Sequence, residues 1–571
     1  MPAGGGGAGA GVWAGVIPPD VRSGALFARH APQGACGIAP GRYRGGMHRC
    51  TRWIIGSALS ALTLICTGTA FAQDQQKQTH PILRATTRAT LPDDGARGVG
   101  MVLYDAREYP RGLIAPDSFT WDEPNAPYTV GIALDTHNPA PTETEITQDA
   151  EGKPKYPMGW FDEAGNWYDR PQRELSIHVN GTEIHNMLCP VEFRTGEPVE
   201  LAAELRFEVG RAVIDVVVAG QTVVDAMPLL GLDPFPAGVK TGSADSVGRI
   251  DAGTLEGVGD AGAVPAVRPV RVRVFDSYFV HAGDRTPRVE ADFSGVPGRV
   301  ARVVATLTLA EPEVGYDHWD KKGVIHIWDP RGEDAGPERF EVLRFITPFR
   351  KGWTWKADVT HLLPLFKDSR TLGCDIGTYM KGWLVSFDLD FYPGEPELEP
   401  LGVVQLWSGD VEIGNPDNPA SNTFATQSLV VPEGATHARV LTTATGHGME
   451  PNTDNAGEFM PLGRTLSVVT DKGEVVEWNN LWNEDVYLNP CRPQRGTWKF
   501  DRAGWAPGSV VLPWAVDVSP IVVPGGTMTI GYELDPYLNE GRGQTWAPHH
   551  WTETIVVFSR ENTGVSRAPD R

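Results

Sequence analysis

Ile177-His178-Val179-Asn180-Gly181-Thr182-Glu183-Ile184 is two β-branched runs joined by Asn-Gly. Asn-Gly accepts the positive φ that both central positions of a two-residue type I′ turn require, and the twist of that turn matches the strands on either side. The stretch therefore predicts a β-hairpin. Val216-Val217-Val218, Ala219-Gly220 and Gln221-Thr222-Val223 repeat the pattern with a weaker turn pair. Upstream, Leu205, Phe207 and Val209 alternate with charged residues, the period of a strand with one face buried. The same texture continues outward, with short Val-, Ile- and Thr-rich runs cut by Gly, Pro, Asn and Asp clusters. No long stretch carries a helical period, so the expected fold class is all-β.

At 571 residues the chain exceeds what one core can organise, and length alone suggests about three or four domains. Hydrophobic residues make up 41% and charged residues 21%, the balance of a globular chain rather than a disordered one. The formal net charge of -22 repels phosphate backbones and anionic lipid, and no basic run or nucleic-acid motif offsets it. Nucleic acid and membrane surfaces are thus not expected partners. The 18 tryptophans suit β-sandwich cores and also offer faces for stacking on sugar rings, which makes carbohydrate worth testing.

Residues 1–46 are Gly-, Ala- and Arg-rich without periodicity and read as an upstream extension. At Met47 a secretory pattern begins: basic His48, Arg49 and Arg52, an apolar stretch Trp53 to Cys66, and Ala70-Phe71-Ala72 before Gln73. Residues 47–72 therefore read as a signal peptide cleaved after Ala72, which implies a secreted or periplasmic protein. A lipoprotein reading through Cys66 is disfavoured by Ile65, where a small residue is required. No other stretch is apolar for the roughly 20 residues a spanning helix needs, so membrane insertion is not expected. Cys189, Cys374 and Cys491 remain after cleavage; three thiols without CxxC spacing allow at most one disulfide and argue against a Cys-based metal site.

The Gly-, Ala-, Asp- and Ser-rich stretch 242–269 reads as a linker, and Pro393-Gly394-Glu395-Pro396-Glu397-Leu398-Glu399-Pro400 as a stiff acidic connector. They divide the mature chain into 73–255, a linker at 256–267, then 268–400 and 401–565, each with strands enough for a sandwich. Trp121-Asp122, the run 135–138, Trp160-Phe161-Asp162 and Gly165-Asn166-Trp167-Tyr168 give the first block the texture of concanavalin-A-like jelly rolls, which it resembles in pattern only.

The last 290 or so residues carry an ordered series of short motifs. Tyr316-Asp317-His318-Trp319-Asp320 is followed by Arg344-Phe345-Ile346-Thr347-Pro348 and Asp358-Val359-Thr360. Then come Gly446-His447-Gly448, Asn455-Ala456-Gly457-Glu458-Phe459, Gly496-Thr497-Trp498 and Asp501-Arg502-Ala503-Gly504-Trp505-Ala506-Pro507-Gly508. In order and spacing this series resembles the peptide-N-glycosidase F family, over roughly residues 270–560. The resemblance implies two tandem antiparallel jelly-roll sandwiches with an active site near their interface. It also implies an amidase that releases N-linked glycan and leaves aspartate where asparagine stood. On this basis Asp320 is the central catalytic carboxylate and Glu458 a second one. Arg502, His447, Trp319 and Tyr379 are substrate-binding candidates. Asp317 reads as a solvated turn residue.

Two departures accompany the resemblance. Where the family carries another Glu, the segment 372–379 is one residue shorter and offers only Asp375. The family's two clipping disulfides are also missing, with Ala456 and Met460 at one pair of positions and Val486 and Ala506 at the other. A disulfide typically contributes about 2–4 kcal/mol, so packing must compensate.

Amide hydrolysis needs an activated water, a place for negative charge to develop and a proton for the leaving nitrogen. Carboxylates of unequal acidity divide such work. The expected substrate is an N-glycoprotein or glycopeptide, and no cofactor or metal is expected. A non-catalytic glycan-binding protein on the same fold is the alternative that the missing Glu favours. Copper monooxygenases share the tandem architecture, but they need clustered His ligands. Here His549-His550 is the one adjacent pair, read as a loop or surface pair, and no His-x-His occurs.

Overall fold

The computed structural model describes residues 82–93, 96–113, 119–137, 147–148, 154–155, 171–258, 266–330, 337–448, 457–539 and 547–562. The leader-like segment, the runs at 160–162 and 165–168, and the Asn455-Ala456 pair lie outside these residues. The described chain is built of antiparallel strands, joined by loops and a few short 3-10 turns, in three two-sheet sandwiches. Among the described residues no helix is long and apolar enough to cross a membrane.

The first sandwich contains both predicted hairpins. Strands Pro171–Val179 and Thr182–Leu188 meet at Asn180 (φ 52°) and Gly181 (φ 84°), the two positive angles that Asn-Gly was expected to supply. Strands Arg211–Val218 and Gln221–Leu230 meet likewise at Ala219 (φ 49°) and Gly220 (φ 79°). One sheet runs Gln221–Leu230, Arg211–Val218, Val199–Glu208, Ile82–Thr90, Arg249–Ile250, with Thr254–Val258 also pairing with Ile82–Thr90. The other runs Ala237–Ser243, Gly98–Asp105, Thr129–His137, Pro171–Val179, Thr182–Leu188. Leu205 and Phe207 point into the core between the sheets, as their alternation predicts.

The stretch from Gly242 is not a linker over its described length. It completes strand Ala237–Ser243 and supplies Thr254–Val258, which zips against Ile82–Thr86. Its glycine content has a packing cause: a Cβ on Gly242 would lie 2.1 Å from the Trp121 ring, so the strand is bare where an indole covers it.

The second sandwich pairs the sheet Val270–Val280, Trp383–Pro393, Val300–Ala310, Trp353–Asp358 with the sheet Arg288–Asp292, Ser369–Ile376, Lys322–Pro330, Pro337–Ile346. The third pairs Leu398–Glu412, His549–Glu561, His437–His447, Trp514–Asp517 with Gln427–Val430, Thr527–Leu534, Gly463–Thr470, Gly473–Asn480. His549 and His550 thus begin a strand instead of forming a loop. Leu441, Ile555 and Val557 of the third sandwich join the apolar core of the second, so these two are packed side by side.

A buried polar network crosses the same interface. Arg344 donates to both carboxylate oxygens of Glu341 (2.6 and 2.9 Å) and to the Trp551 carbonyl (2.7 Å). Glu553 accepts the Glu341 amide and the Gln405 side-chain amide (2.6 Å). Burial, reinforced by the neighbouring Glu341 charge, pushes the Glu553 carboxyl up to about 8. Its folded pKa therefore lies above the ordinary 4.5, so the folded state holds a proton that the unfolded state has released. Its stabilising contribution is complete below about pH 4.5 and is lost as pH rises through about 8. Glu553→Gln is expected to flatten the decline in unfolding free energy between about pH 5.5 and about pH 9, measured by urea denaturation at each. An unchanged slope would assign that decline to other groups.

Candidate active site

Asp320 sits two residues before strand Lys322–Pro330, and the turn that presents it is pinned from below. Asp317 is fully buried, not solvated as expected. Its carboxylate accepts the Trp319 amide (3.1 Å) and the Thr378 hydroxyl (2.5 Å), and its own amide donates to the Gly382 carbonyl (3.2 Å). Lys321 and Thr347 exchange hydrogen bonds immediately after Asp320.

The partners come from the third sandwich. Strand His437–His447 ends at the Gly446-His447-Gly448 segment, and the Glu458 amide donates back to the Gly448 carbonyl (2.8 Å). The Ala503 amide donates to the Glu458 carbonyl (2.9 Å) and the Gly446 amide to the Ala503 carbonyl (2.9 Å). Gly446 is required there, because a Cβ would meet Ala503 and the Gly457 carbonyl at 2.6 Å each. These backbone bonds lock the Glu458 and Arg502 segments side by side.

The second and third sandwiches bring the two segments to Asp320 through the sheet register. Lys322 pairs with Ile346, and the Ile346 amide and carbonyl bond the Ser509 carbonyl (2.9 Å) and the Gly508 amide (3.0 Å). Asp320 and Arg502 thus both precede the same rungs. The Arg502 side chain has no solvent exposure. Its Nε donates to Glu458 Oε1 (3.2 Å) and its Nη2 lies 4.0 Å from Asp320 Oδ2. Nη1 and Nη2 also donate to the Phe500 and Thr497 carbonyls, at 2.6 Å each. The guanidinium lies 4.8 Å from the Trp505 ring and 5.1 Å from that of Phe459. Each of its nitrogens donates to protein, and the enclosed guanidinium faces the two carboxylates.

The electrostatics divide the pair. Burial pushes the Asp320 carboxyl up to about 7, against the opposing pull of Arg502 and with help from the Glu458 charge. Burial also raises Glu458, more weakly, against the Arg502 charge and hydrogen bond. Burial lowers the Arg502 pKa, partly offset by both acids. Trp319 (53% exposed), which precedes Asp320 in the chain, and Tyr379 (62% exposed) stand open to solvent, with the Lys321 ammonium 4.0 Å from the Tyr379 ring. Tyr379 also lines a shallow hollow with Phe279, His281, Val314, Met380 and Lys381.

Two expected members lie elsewhere. Cys374 and Ile376 fill the core of the second sandwich, so the strand period turns Asp375 to the opposite face. There its Oδ2 lies 3.4 Å from His326 Nδ1 and from Arg339 Nη1. No contact joins it to Asp320, Glu458 or Arg502 among those the structure gives it. His447 bonds Thr445 (2.9 Å) and stacks on Trp505 (5.4 Å), so it backs the wall behind Arg502. Sequence reading passed over Lys322, whose Nζ lies 2.7 Å from the Trp551 ring centroid and whose pKa burial lowers to about 7. Its place directly after Asp320-Lys321 is the one signal for it. Among the described residues no group of His, Cys, Asp and Glu is arranged to hold a metal ion.

Comparison with known proteins follows the same division of the chain. The family description "Peptide-N-glycosidase F, N terminal" matches residues 331–391, and "Peptide-N-glycosidase F, C terminal" matches residues 416–546. The peptide-N(4)-(N-acetyl-beta-D-glucosaminyl)asparagine amidase F of Elizabethkingia miricola is 24% identical over 317 residues, which is 53% of this chain and 87% of that protein. The solved structure of recombinant peptide: N-glycanase F is 21% identical, covering 52% of this chain and 96% of its own, with a TM-score of 0.45. That of PNGF-II is 11% identical, covering 85% of this chain and all of its own (100%), with a TM-score of 0.41. The two family segments are matched in order, one on each of the tandem sandwiches, so residues 331–391 and 416–546 carry the N- and C-terminal segments of the peptide-N-glycosidase F family.

Proposed function

We propose that this protein hydrolyses the amide bond between N-acetylglucosamine and asparagine in N-glycoproteins or glycopeptides. The observation that carries the reading is the meeting of Asp320 and Glu458, from adjoining sandwiches, on one buried guanidinium at 4.0 and 3.2 Å. Asp320, with a carboxyl raised to about 7, takes a proton from water as its oxygen attacks the side-chain carbonyl carbon. The same proton then passes to the nitrogen as the carbon–nitrogen bond breaks. The products are aspartate in the peptide and a glycosylamine. Glu458, fixed by Arg502, positions the water or the first N-acetylglucosamine. Trp319 and Tyr379 offer ring faces to the sugars. The leader-like stretch 47–72 supports action outside the cytoplasm.

One observation favours a second reading, a glycan-binding protein without turnover. Asp375 is committed to His326 and Arg339, so it does not join Asp320 and Glu458 on Arg502. Release of glycan from a fluorescent N-glycopeptide separates the two readings.

Asp320→Asn is expected to lower kcat/KM by about 1,000-fold, within the usual range for removing a general base, while the melting temperature does not fall. Retained activity would overturn the assignment. For the wild type, the working form of Asp320 is the ionised one, so kcat/KM is expected to rise with pH through about 7 and then level. A rate that is flat between about pH 5 and about pH 8 would contradict a base of this acidity. Trp319→Ala and Tyr379→Ala are each expected to raise KM about tenfold with kcat nearly unchanged, the mark of uniform binding. A loss confined to kcat would place those rings in the chemistry instead.

A further inference from the structure

Arg502 is carried by the long connection 481–513 of the third sandwich. Between strands Gly473–Asn480 and Trp514–Asp517 its one regular element is the short 3-10 turn Val486–Leu488. The connection is gripped from two other sandwiches at one place. Lys351 of the second sandwich donates to the carbonyls of Cys491, Arg492 and Pro493 at 3.2 to 3.3 Å. The Arg492 side chain keeps one bond to its own connection, at the Leu488 carbonyl (3.3 Å), and reaches across into the first sandwich. Its Nη1 lies 2.6 Å from Glu183 Oε1, and its Nη2 lies 3.4 Å from Glu123 Oε1 and 3.5 Å from Glu174 Oε2.

Three of the four groups in this cluster are removed from water to a degree that makes each depend on the others, and Glu123 is half-buried at its edge. Arg492 is buried, Glu174 has no exposure and Glu183 is buried beside the predicted Asn-Gly turn. A buried guanidinium is unfavourable unless paired, and the buried carboxylates of Glu174 and Glu183, with the half-buried Glu123 beside them, repel one another unless a cation stands between them. Docking of the first sandwich and the conformation of the connection are therefore one equilibrium. Lys499, further along the connection, adds a second positive charge that attracts Glu174.

What lies between these cations and Arg502 gives the cluster its consequence. The carbonyls that hold the Arg502 guanidinium belong to Thr497 and Phe500, one on each side of Lys499. Gly496 packs so tightly on Phe349 that a Cβ would meet the ring at 2.5 Å, and Trp498 is buried beside Phe349 and Tyr487. The segment thus transmits position and has little room to absorb a shift.

We propose that the N-terminal sandwich is a positioning element of the active site. Glu123, Glu174 and Glu183 clamp Arg492, and through the Thr497 and Phe500 carbonyls the clamp sets Arg502 against Glu458 and Asp320. Arg492 is a positioning residue and touches no reacting atom. The inference rests on the amidase reading for its catalytic consequence, though not for the clamp itself.

The test uses the full-length protein with Arg492→Met, Arg492→Lys and Glu183→Gln, and the core substitution Val216→Ala in the first sandwich as a control for general destabilisation. Hydrogen exchange of the amides of 495–505 and kcat and KM on a fluorescent N-glycopeptide are read together. Arg492→Met is expected to raise exchange in 495–505 about tenfold and lower kcat about 30-fold with KM within about twofold. Glu183→Gln, which keeps the shape and removes one charge, is expected to give about a fivefold loss of kcat, and Arg492→Lys a loss between the two. Val216→Ala is expected to lower the melting temperature while leaving exchange in 495–505 and kcat at wild-type values. The proposal is overturned if Arg492→Met and Glu183→Gln leave exchange and kcat unchanged, or if Val216→Ala reproduces their effect at equal loss of melting temperature. Should the wild type release no glycan, the amidase reading fails and exchange in 495–505 alone decides the clamp.

Discussion

A guanidinium without solvent exposure, held between carboxylates from two different sandwiches, is the constraint on which the site depends. Arg502 satisfies its donors with two backbone carbonyls and Glu458, and its remaining field falls on Asp320. Such a charge is tolerated away from water only where every partner is in place. The turn at Asp317, the close approach at Gly446 and the rung between Ile346 and Gly508 can each be understood as keeping those partners in place. The same field keeps burial from raising Asp320 further, so its carboxyl rests near neutrality and is able to exchange a proton with water.

The sandwiches are joined as much by buried charge as by apolar surface. Arg344, Glu341, Glu553 and Gln405 lie between the second and third, and Arg492 with three glutamates between the third and first. Arg302 adds an ion pair to Glu208 and a bond to the Val209 carbonyl between first and second. Pairs of this kind contribute little net stability compared with apolar packing, but they tolerate few alternative arrangements. That suits a molecule assembled from three separate cores. It also accords with Cys189, Cys374 and Cys491 being free and buried, so that no disulfide shares the task among the described residues.

Much of this was legible in the residues, and the failures have physical causes. Asn180-Gly181 and Ala219-Gly220 announced their hairpins because their backbone angles exclude most other residue pairs. Asp320, Glu458 and Arg502 stood out by their setting in ordered motifs, and the fold brings them together. Burial was not legible. Arg502 was expected as a substrate-binding residue, and its side chain is fully enclosed on Glu458 and two backbone carbonyls. Asp317 was expected in solvent and instead supports the turn from inside. Asp375 was the one carboxylate available in its segment, yet strand parity turns it toward His326 and Arg339. The stretch from Gly242 was taken for a linker because it lacks apolar side chains; its strand is instead covered by the indole of Trp121.

The central claim is that water, activated over the Asp320–Arg502–Glu458 cluster, replaces the glycan-bearing nitrogen of asparagine. It is tested most directly by digesting an N-glycopeptide in water enriched in heavy oxygen and weighing the peptide product. Aspartate is expected at the former glycosylation site, with one heavy oxygen in its side chain, together with a released glycan that keeps both core N-acetylglucosamine residues. An asparagine that still carries N-acetylglucosamine, or a peptide left intact, would contradict it.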